Sequence, residues 1–216
     1  MAYLMVHLTI ANKILEKYPD IDDKNAFRIG SIAPDAIGFR PGKRYEKALS
    51  HFCIGDESWG YYTNYDEWFD NLICNINKLY SSVNKDFLLG YMSHVIADIE
   101  NSRRFWTPIR LTNDDKHKEN FFNDCYETDS ILLSKIENID DFWEMIDNRN
   151  NYFLPDICAA EDIVYMVEIM KSQIYSNRQP NSEYSPSIFT MQTAMDFIDD
   201  IVDKTINVIE ELKIKC

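Results

Sequence analysis

His7, Asp35, His51, His94 and Asp98 lie in fragments otherwise built of core-forming residues: MVHLTIA, RIGSIAPDAIG, LSHFCIG and LLGYMSHVIADIEN. Burying an ionised carboxylate costs roughly several kcal/mol unless a cation or hydrogen bonds compensate. Histidine is intermediate in burial, and aspartate is rarely fully buried unless paired. Five such groups beside apolar segments therefore point to a shared metal ion. Imidazole and carboxylate together suit zinc, and zinc sites that keep an exchangeable position are catalytic. Two or three neighbouring ions can share a bridging carboxylate and clamp a phosphoryl group during in-line attack. Asp35 could act there as both ligand and general base.

The spacing has a bland reading as well. His94 and Asp98 are four residues apart and share one helical face, with Gly90 a turn earlier opening space beside the imidazole and Asn101 continuing the face. Such a pair is also an ordinary structural hydrogen bond. His7 can be a satisfied core histidine, Asp35 a turn cap after Pro34, and His51 a packing partner of Phe52. The metal reading rests on the combination, because the residues come from four separate segments.

Those segments must be positioned by helices. Residues 3–17 put Tyr3, Leu4, His7, Leu8, Ala11, Ile14 and Leu15 on one stripe, and Pro19 ends it. Asp22 or Asp23 caps a second helix running to Ile29. Residues 34–43 carry two Pro and two Gly and read as an irregular loop. A short helix over 43–53 leads to His51, the aromatic loop around WGYYTNYDEW follows, and a helix covers 65–81. The segment 85–101 is apolar nearly all round, which predicts a central buried helix touching the first helix and the last two. Pro108 and TNDDKHKEN break the pattern before helices at 117–137, 155–176 and 187–213. Strand alternation and internal repeats are missing. The expected fold is all-α, one multi-helix bundle over 1–216.

Composition narrows the function. With 22 Lys+Arg against 36 Asp+Glu the net charge is −14, which argues against duplex nucleic acid and anionic lipid surfaces, since such partners draw affinity from basic residues. A small phosphate ester held by a metal remains possible because the ion supplies the local positive charge. The acidic surface is also an ordinary solubility device. Five dispersed cysteines without a CxxC pair give no disulfide framework, and four of them read as small core residues. No leader and no transmembrane stretch is visible, so the expectation is a cytoplasmic protein.

His7, the GSIAPD segment, the HF pair and the GYxxHxxxD helix resemble the zinc-dependent phospholipase C family over about residues 1–140. That resemblance implies an all-helical fold related to the fungal single-strand-specific nucleases. It implies that Asp35, His51, His94 and Asp98 hold one zinc, and that His7 binds a second bridged by Asp98. Secreted members complete the second site with the chain's amino group, which here would come from Ala2 after methionine removal. The positions for a third ion hold Arg104, Asn123 and Glu127, of which only Glu127 matches, so one or two zinc ions are expected. Asn101 and Glu127 are candidates for additional ligands or for groups that orient them. Arg104, beside Arg103, is a candidate for phosphate binding or for pairing with surface carboxylates. Asp124 is expected to face water and His117 to be solvated.

The implied activity is phosphoester hydrolysis by a zinc-activated water, on a phospholipid headgroup or a soluble phosphodiester or nucleotide. The alternative is a non-catalytic relative with one structural ion. A different helical phosphohydrolase with a His-Asp dipeptide ranks last, because that dipeptide does not occur.

Overall fold

The computed structural model describes residues 3–42, 46–54, 60–147 and 150–215, the last three without their side chains. Several helices start where an oxygen-bearing side chain takes unpaired N–H groups of the first turn. Asp23 accepts from the Ala26 amide to open α2 (Lys24–Gly30), which settles the choice between Asp22 and Asp23. Asn64 does the same for α4 (Tyr65–Leu79), Asn84 for α5 (Lys85–Asn101) and Asp114 for α7 (Asp115–Ser134). The first helix, α1 (Leu4–Lys17), carries His7 on its buried stripe. The remaining helices are α3 (Lys47–Ser50), α6 (Thr107–Leu111), α8 (Ile139–Met145), α9 (Ala160–Ile169) and α10 (Met191–Lys215).

Among the described residues there is no strand, only an isolated antiparallel bridge between Leu154 and Cys158. The fold is all-α. None of its described helices is long and apolar enough to cross a membrane.

Every residue of α5 from Asp86 to Asn101 is buried. Its closest neighbour is α2, and the two backbones meet at a pair of glycines. A Cβ on Gly90 would stand 2.0 Å from the Phe27 carbonyl oxygen, and one on Gly30 would stand 2.1 Å from that of Phe87. Gly90 therefore serves backbone contact with α2 rather than room for the His94 ring. Helices α4, α10 and α1 complete the surroundings of α5. Helix α9 packs chiefly on residues 33–39 instead, where Arg40 pairs with Asp162 and Cys158 Sγ lies 3.4 Å from the Ala33 carbonyl. The expected close contact of α5 with both of the last two helices thus holds for α10, while α9 supports the Asp35 segment.

Several sequence expectations need correction. Residues Ala33–Phe39 form a 3₁₀ helix, not an irregular loop. Pro34 stands in its first turn, where a fixed φ helps and the missing N–H costs nothing, and Pro34, Ala36 and Ile37 are buried. The chain also does not break at Pro108. Helix α5 runs through a π-helical turn, Ser102–Trp106, into α6, and Pro108 occupies the first turn of α6. The 155–176 helix starts only at Ala160 and ends in a second π-helical turn, Met170–Ile174. Helix α8 was not expected. Cys125 and Cys158 are core residues, whereas Cys74 is exposed. The short helix expected at 43–53 is present as Lys47–Ser50. Residues 43–45, Trp59 of the aromatic loop, Ala2 and Cys216 lie outside the described residues.

Candidate metal centre

The close crossing of α2 and α5 fixes the first ligand candidate. It carries the Ser31 carbonyl, just past the end of α2, to 2.8 Å from His94 Nδ1. His51 follows α3 directly, and its Nδ1 lies 2.8 Å from the Lys47 carbonyl, with the Ser50 hydroxyl at 3.0 Å. A carbonyl can only accept, so each Nδ1 carries the proton and each Nε2 presents a lone pair. Three side chains hold the backbone that carries His51. Tyr91 donates to the Ser50 carbonyl at 2.5 Å, Trp68 to that of His51 at 2.7 Å, and Asn71 to that of Phe52 at 2.7 Å. Phe52 has φ 55°, a left-handed conformation rare for a bulky residue. Those three bonds hold the sharp reversal in place.

The two Nε2 atoms face each other at 3.2 Å. His51 Nε2 is 3.4 Å from Asp35 Oδ1 and 3.4 Å from Asp98 Oδ2. His94 Nε2 is 3.8 Å and 3.9 Å from the same two oxygens. Tetrahedral zinc with bonds of about 2.0–2.1 Å separates its ligands by about 3.3–3.4 Å. Two lone pairs at 3.2 Å repel unless a cation lies between them. The donor set and spacing of Asp35, His51, His94 and Asp98 fit zinc, and one ligand atom from each lies within 4.8 Å of all the others.

His7 adds a second side to this cluster. Its ring stacks on His94 at 3.7 Å between centroids, and its Nε2 lies 3.6 Å from Asp98 Oδ1. Asp98 thus turns one oxygen to His7 and the other to His51 and His94, as a bridging carboxylate would. Both His7 ring nitrogens are buried with no hydrogen-bond partner among the described residues. Orphaned nitrogens of that kind cost about 1–3 kcal/mol each unless something binds them.

Electrostatics point the same way. Burial pushes the His7 and His94 imidazoles below their ordinary range, so they stay neutral and able to ligate. Burial works against ionisation of Asp35, but the Lys47 ammonium at 2.5 Å holds it well below the usual carboxylate range. Asp98 is likewise held low, against the effect of its burial. Neutral imidazoles and ionised carboxylates are the protonation states a metal requires.

Other sequence candidates lie elsewhere. Arg104 binds Glu100 at 3.0 Å and Asp200 at 2.7 Å and covers the Phe197 ring, so it takes the carboxylate-pairing reading. Arg103 pairs with Asp66. Glu127 accepts from the Asn181 amide at 2.8 Å. Asn101 is fully buried on the face of α5 beyond Asp98. Asn123 is exposed, and His117 is half-buried in the first turn of α7. Asp124 does not face water. It is fully buried and accepts from the amides of Ser187, Ile188 and Phe189 and from the Tyr184 hydroxyl.

Sequence reasoning missed Lys47, whose ammonium meets Asp35 and whose carbonyl orients His51. Its position four residues before His51, at helical spacing, was the available signal. It also missed the cleft of about 510 Å³ into which Asp35 and Lys47 open.

Comparison with curated proteins and with solved structures finds no match. Residues 6–99 match the family model described as zinc dependent phospholipase C. That segment contains all five clustered side chains, so the part of the chain that carries the site is similar to the zinc dependent phospholipase C family.

Proposed function

We propose that the chain is a metal-dependent phosphoester hydrolase in which Asp35, His51, His94 and Asp98 hold one zinc, and His7 with Asp98 holds a second. Bound zinc would supply Lewis-acid polarisation of a phosphoryl oxygen and a water acidified towards about pH 7. The chain's own residues divide the remaining work by burial. The Asp98 side chain is 3% exposed and the Asp35 side chain 22% exposed. Asp98, the more buried of the two carboxylates, would be shared between the two ions. Asp35 borders the cleft, so it orients the attacking water and receives its proton. The Ser31 and Lys47 carbonyls keep His94 and His51 aimed, which spares the site reorganisation during the reaction.

The observation that carries this reading is the meeting of two carbonyl-anchored imidazoles and two carboxylates at the wall of a cleft. A buried cluster of this kind could also hold one ion that ties the helices together. The 0–3% exposure of His51, His94 and Asp98 side chains favours that second reading if no turnover is found.

The test is metal analysis of protein purified without chelator, with hydrolysis assayed on bis(p-nitrophenyl) phosphate and phospholipid. We expect turnover that chelator removes and zinc restores. Asp98→Asn should lose both metal and turnover, since a neutral amide is a poor bridge. Zinc-loaded protein that turns over no phosphoester would leave the structural-ion reading.

A further inference from the structure

The cleft beside the cluster says which phosphoester fits. Among the described residues its charged lining is Asp35, Lys47 and Arg178, and Tyr3, Tyr126 and Tyr175 supply aromatic walls. Aromatic walls commonly receive quaternary ammonium groups, whose charge is drawn to ring faces. Here the chain's own cation already serves them. The Arg178 guanidinium lies 3.7 Å from the Tyr126 ring centroid, 5.0 Å from that of Tyr175 and 5.8 Å from that of Tyr3. It is fixed there by Asp129 at 2.9 Å, by the Ser130 hydroxyl and by the Tyr126 carbonyl. Asp129 has no exposed surface and does not line the cleft. The lining carboxylate is Asp35, and the hydrolase reading commits it to the ion. A cationic substituent would therefore meet an arginine-backed aromatic wall and a lysine, with no further carboxylate among the described lining residues.

Lys47 completes the picture. Its ammonium is 2.5 Å from Asp35 and its side chain is 12% exposed at the cleft. With Asp35 engaged as a ligand, the ammonium stands beside the reacting position on a flexible four-carbon stem. Lysine is a common phosphate binder as a point charge. We propose that the cleft selects a phosphoester whose alcohol portion is uncharged or anionic, and that Lys47 binds its phosphoryl oxygens. This rests on the hydrolase reading and names the substrate class of the same site.

Calorimetric titration of the zinc-loaded full chain with glycerol phosphate and with phosphocholine tests it. The two probes share a phosphate and differ in the charge of the alcohol. Glycerol phosphate should bind about tenfold tighter or more, a difference of about 1.4 kcal/mol. Lys47→Met should weaken glycerol phosphate about tenfold while binding zinc at least as tightly as the parent, and Lys47→Arg should restore anion binding. Equal or tighter phosphocholine binding in the parent chain overturns the selectivity, whatever the variants do. Unchanged glycerol phosphate binding in Lys47→Met overturns the role of Lys47. In either case continued phosphodiester turnover leaves the hydrolase reading standing. Zinc-loaded protein that binds neither probe and hydrolyses no phosphodiester removes both.

Discussion

Asp129 and Asp98 are both buried aspartates, at 0% and 2% exposure, yet their surroundings differ in kind. Asp129 accepts from the Met5 amide at 2.7 Å, from the Tyr175 hydroxyl at 2.6 Å and from Arg178 at 2.9 Å. Its donors come from the protein at hydrogen-bond length. Asp98 meets three imidazole nitrogens at 3.4–3.9 Å, beyond the usual range for a hydrogen bond and suited to sharing an ion. The Asp129 cluster closes the fold by clamping the start of α1, the helix that carries His7. The Asp98 cluster instead turns imidazole nitrogens and carboxylate oxygens toward one another, all within 4.8 Å for Asp35, His51, His94 and Asp98. Burial of acidic groups is thus no sign of a ligand site, while burial with donor atoms left facing each other is.

The sharpest break of this contrast is Asp129→Ala. It leaves Arg178 buried without its carboxylate, and such a loss costs about 3–5 kcal/mol. Urea unfolding should show it in metal-free protein, because the clamp needs no ion. The Asp98 cluster should respond to metal instead. Zinc at about a thousand times its Kd should stabilise the parent chain by about 4 kcal/mol. His51→Ala should abolish that gain in a thermal melt. A gain of equal size in His51→Ala would mean that the ion binds elsewhere.

The pH dependence of Asp129 separates the clusters further. Burial raises its carboxyl to about 6 against the bonds from Arg178, Tyr175 and the Met5 amide. The folded state then holds the proton more tightly than the unfolded chain does. That contribution is complete below about pH 4 and is lost as pH rises through about 6. The parent chain should lose roughly 2–3 kcal/mol relative to Asp129→Asn between those limits. Denaturant curves at fixed ionic strength measure this, and a constant difference between the two proteins would refute it.

Gly90→Ala probes how the helix crossing aims the site. The added Cβ would stand 2.0 Å from the Phe27 carbonyl oxygen, so α2 and α5 must part. Overpacking of this kind costs about 1–3 kcal/mol. Because the same crossing carries Ser31 to His94, zinc affinity should fall together with stability. The smallest effect belongs to Arg104→Ala, with at most about 1 kcal/mol from its part-exposed ion pairs and no change in KM. A raised KM would return Arg104 to the phosphate-binding role that its sequence position suggested.

The apolar stripe of residues 3–17 was sufficient to place α1. The nearly all-round apolar character of 85–101 foretold the burial of α5, the missing strand alternation was equally plain, and the cap of α2 was narrowed to Asp22 or Asp23. These are local signals, since periodicity and capping depend on neighbours a few residues away. His7, Asp35, His51, His94 and Asp98 were legible as a set because buried ionisable groups are costly and because their motifs occur in family order. The 3₁₀ helix at Ala33–Phe39 was hidden by Pro34 and Gly38, which read as breakers until the packing of α9 is seen. Pro108 misled in the same way, because a π-helical turn can carry a helix into a proline's first-turn position.

Residue type and spacing by themselves determined the helical class, the central helix and the candidate ligands, because helix periodicity and the cost of buried charge act through the local chain. Tertiary structure alone decided that Asp124 and Asp129 are bonded within the fold while Asp98 faces imidazoles, that Arg104 pairs with Glu100 and Asp200, and that Lys47 meets Asp35. Each of those outcomes depends on which atoms a distant segment delivers within about 4 Å, the range of hydrogen bonds and ion pairs. Composition and periodicity carry no information about that delivery.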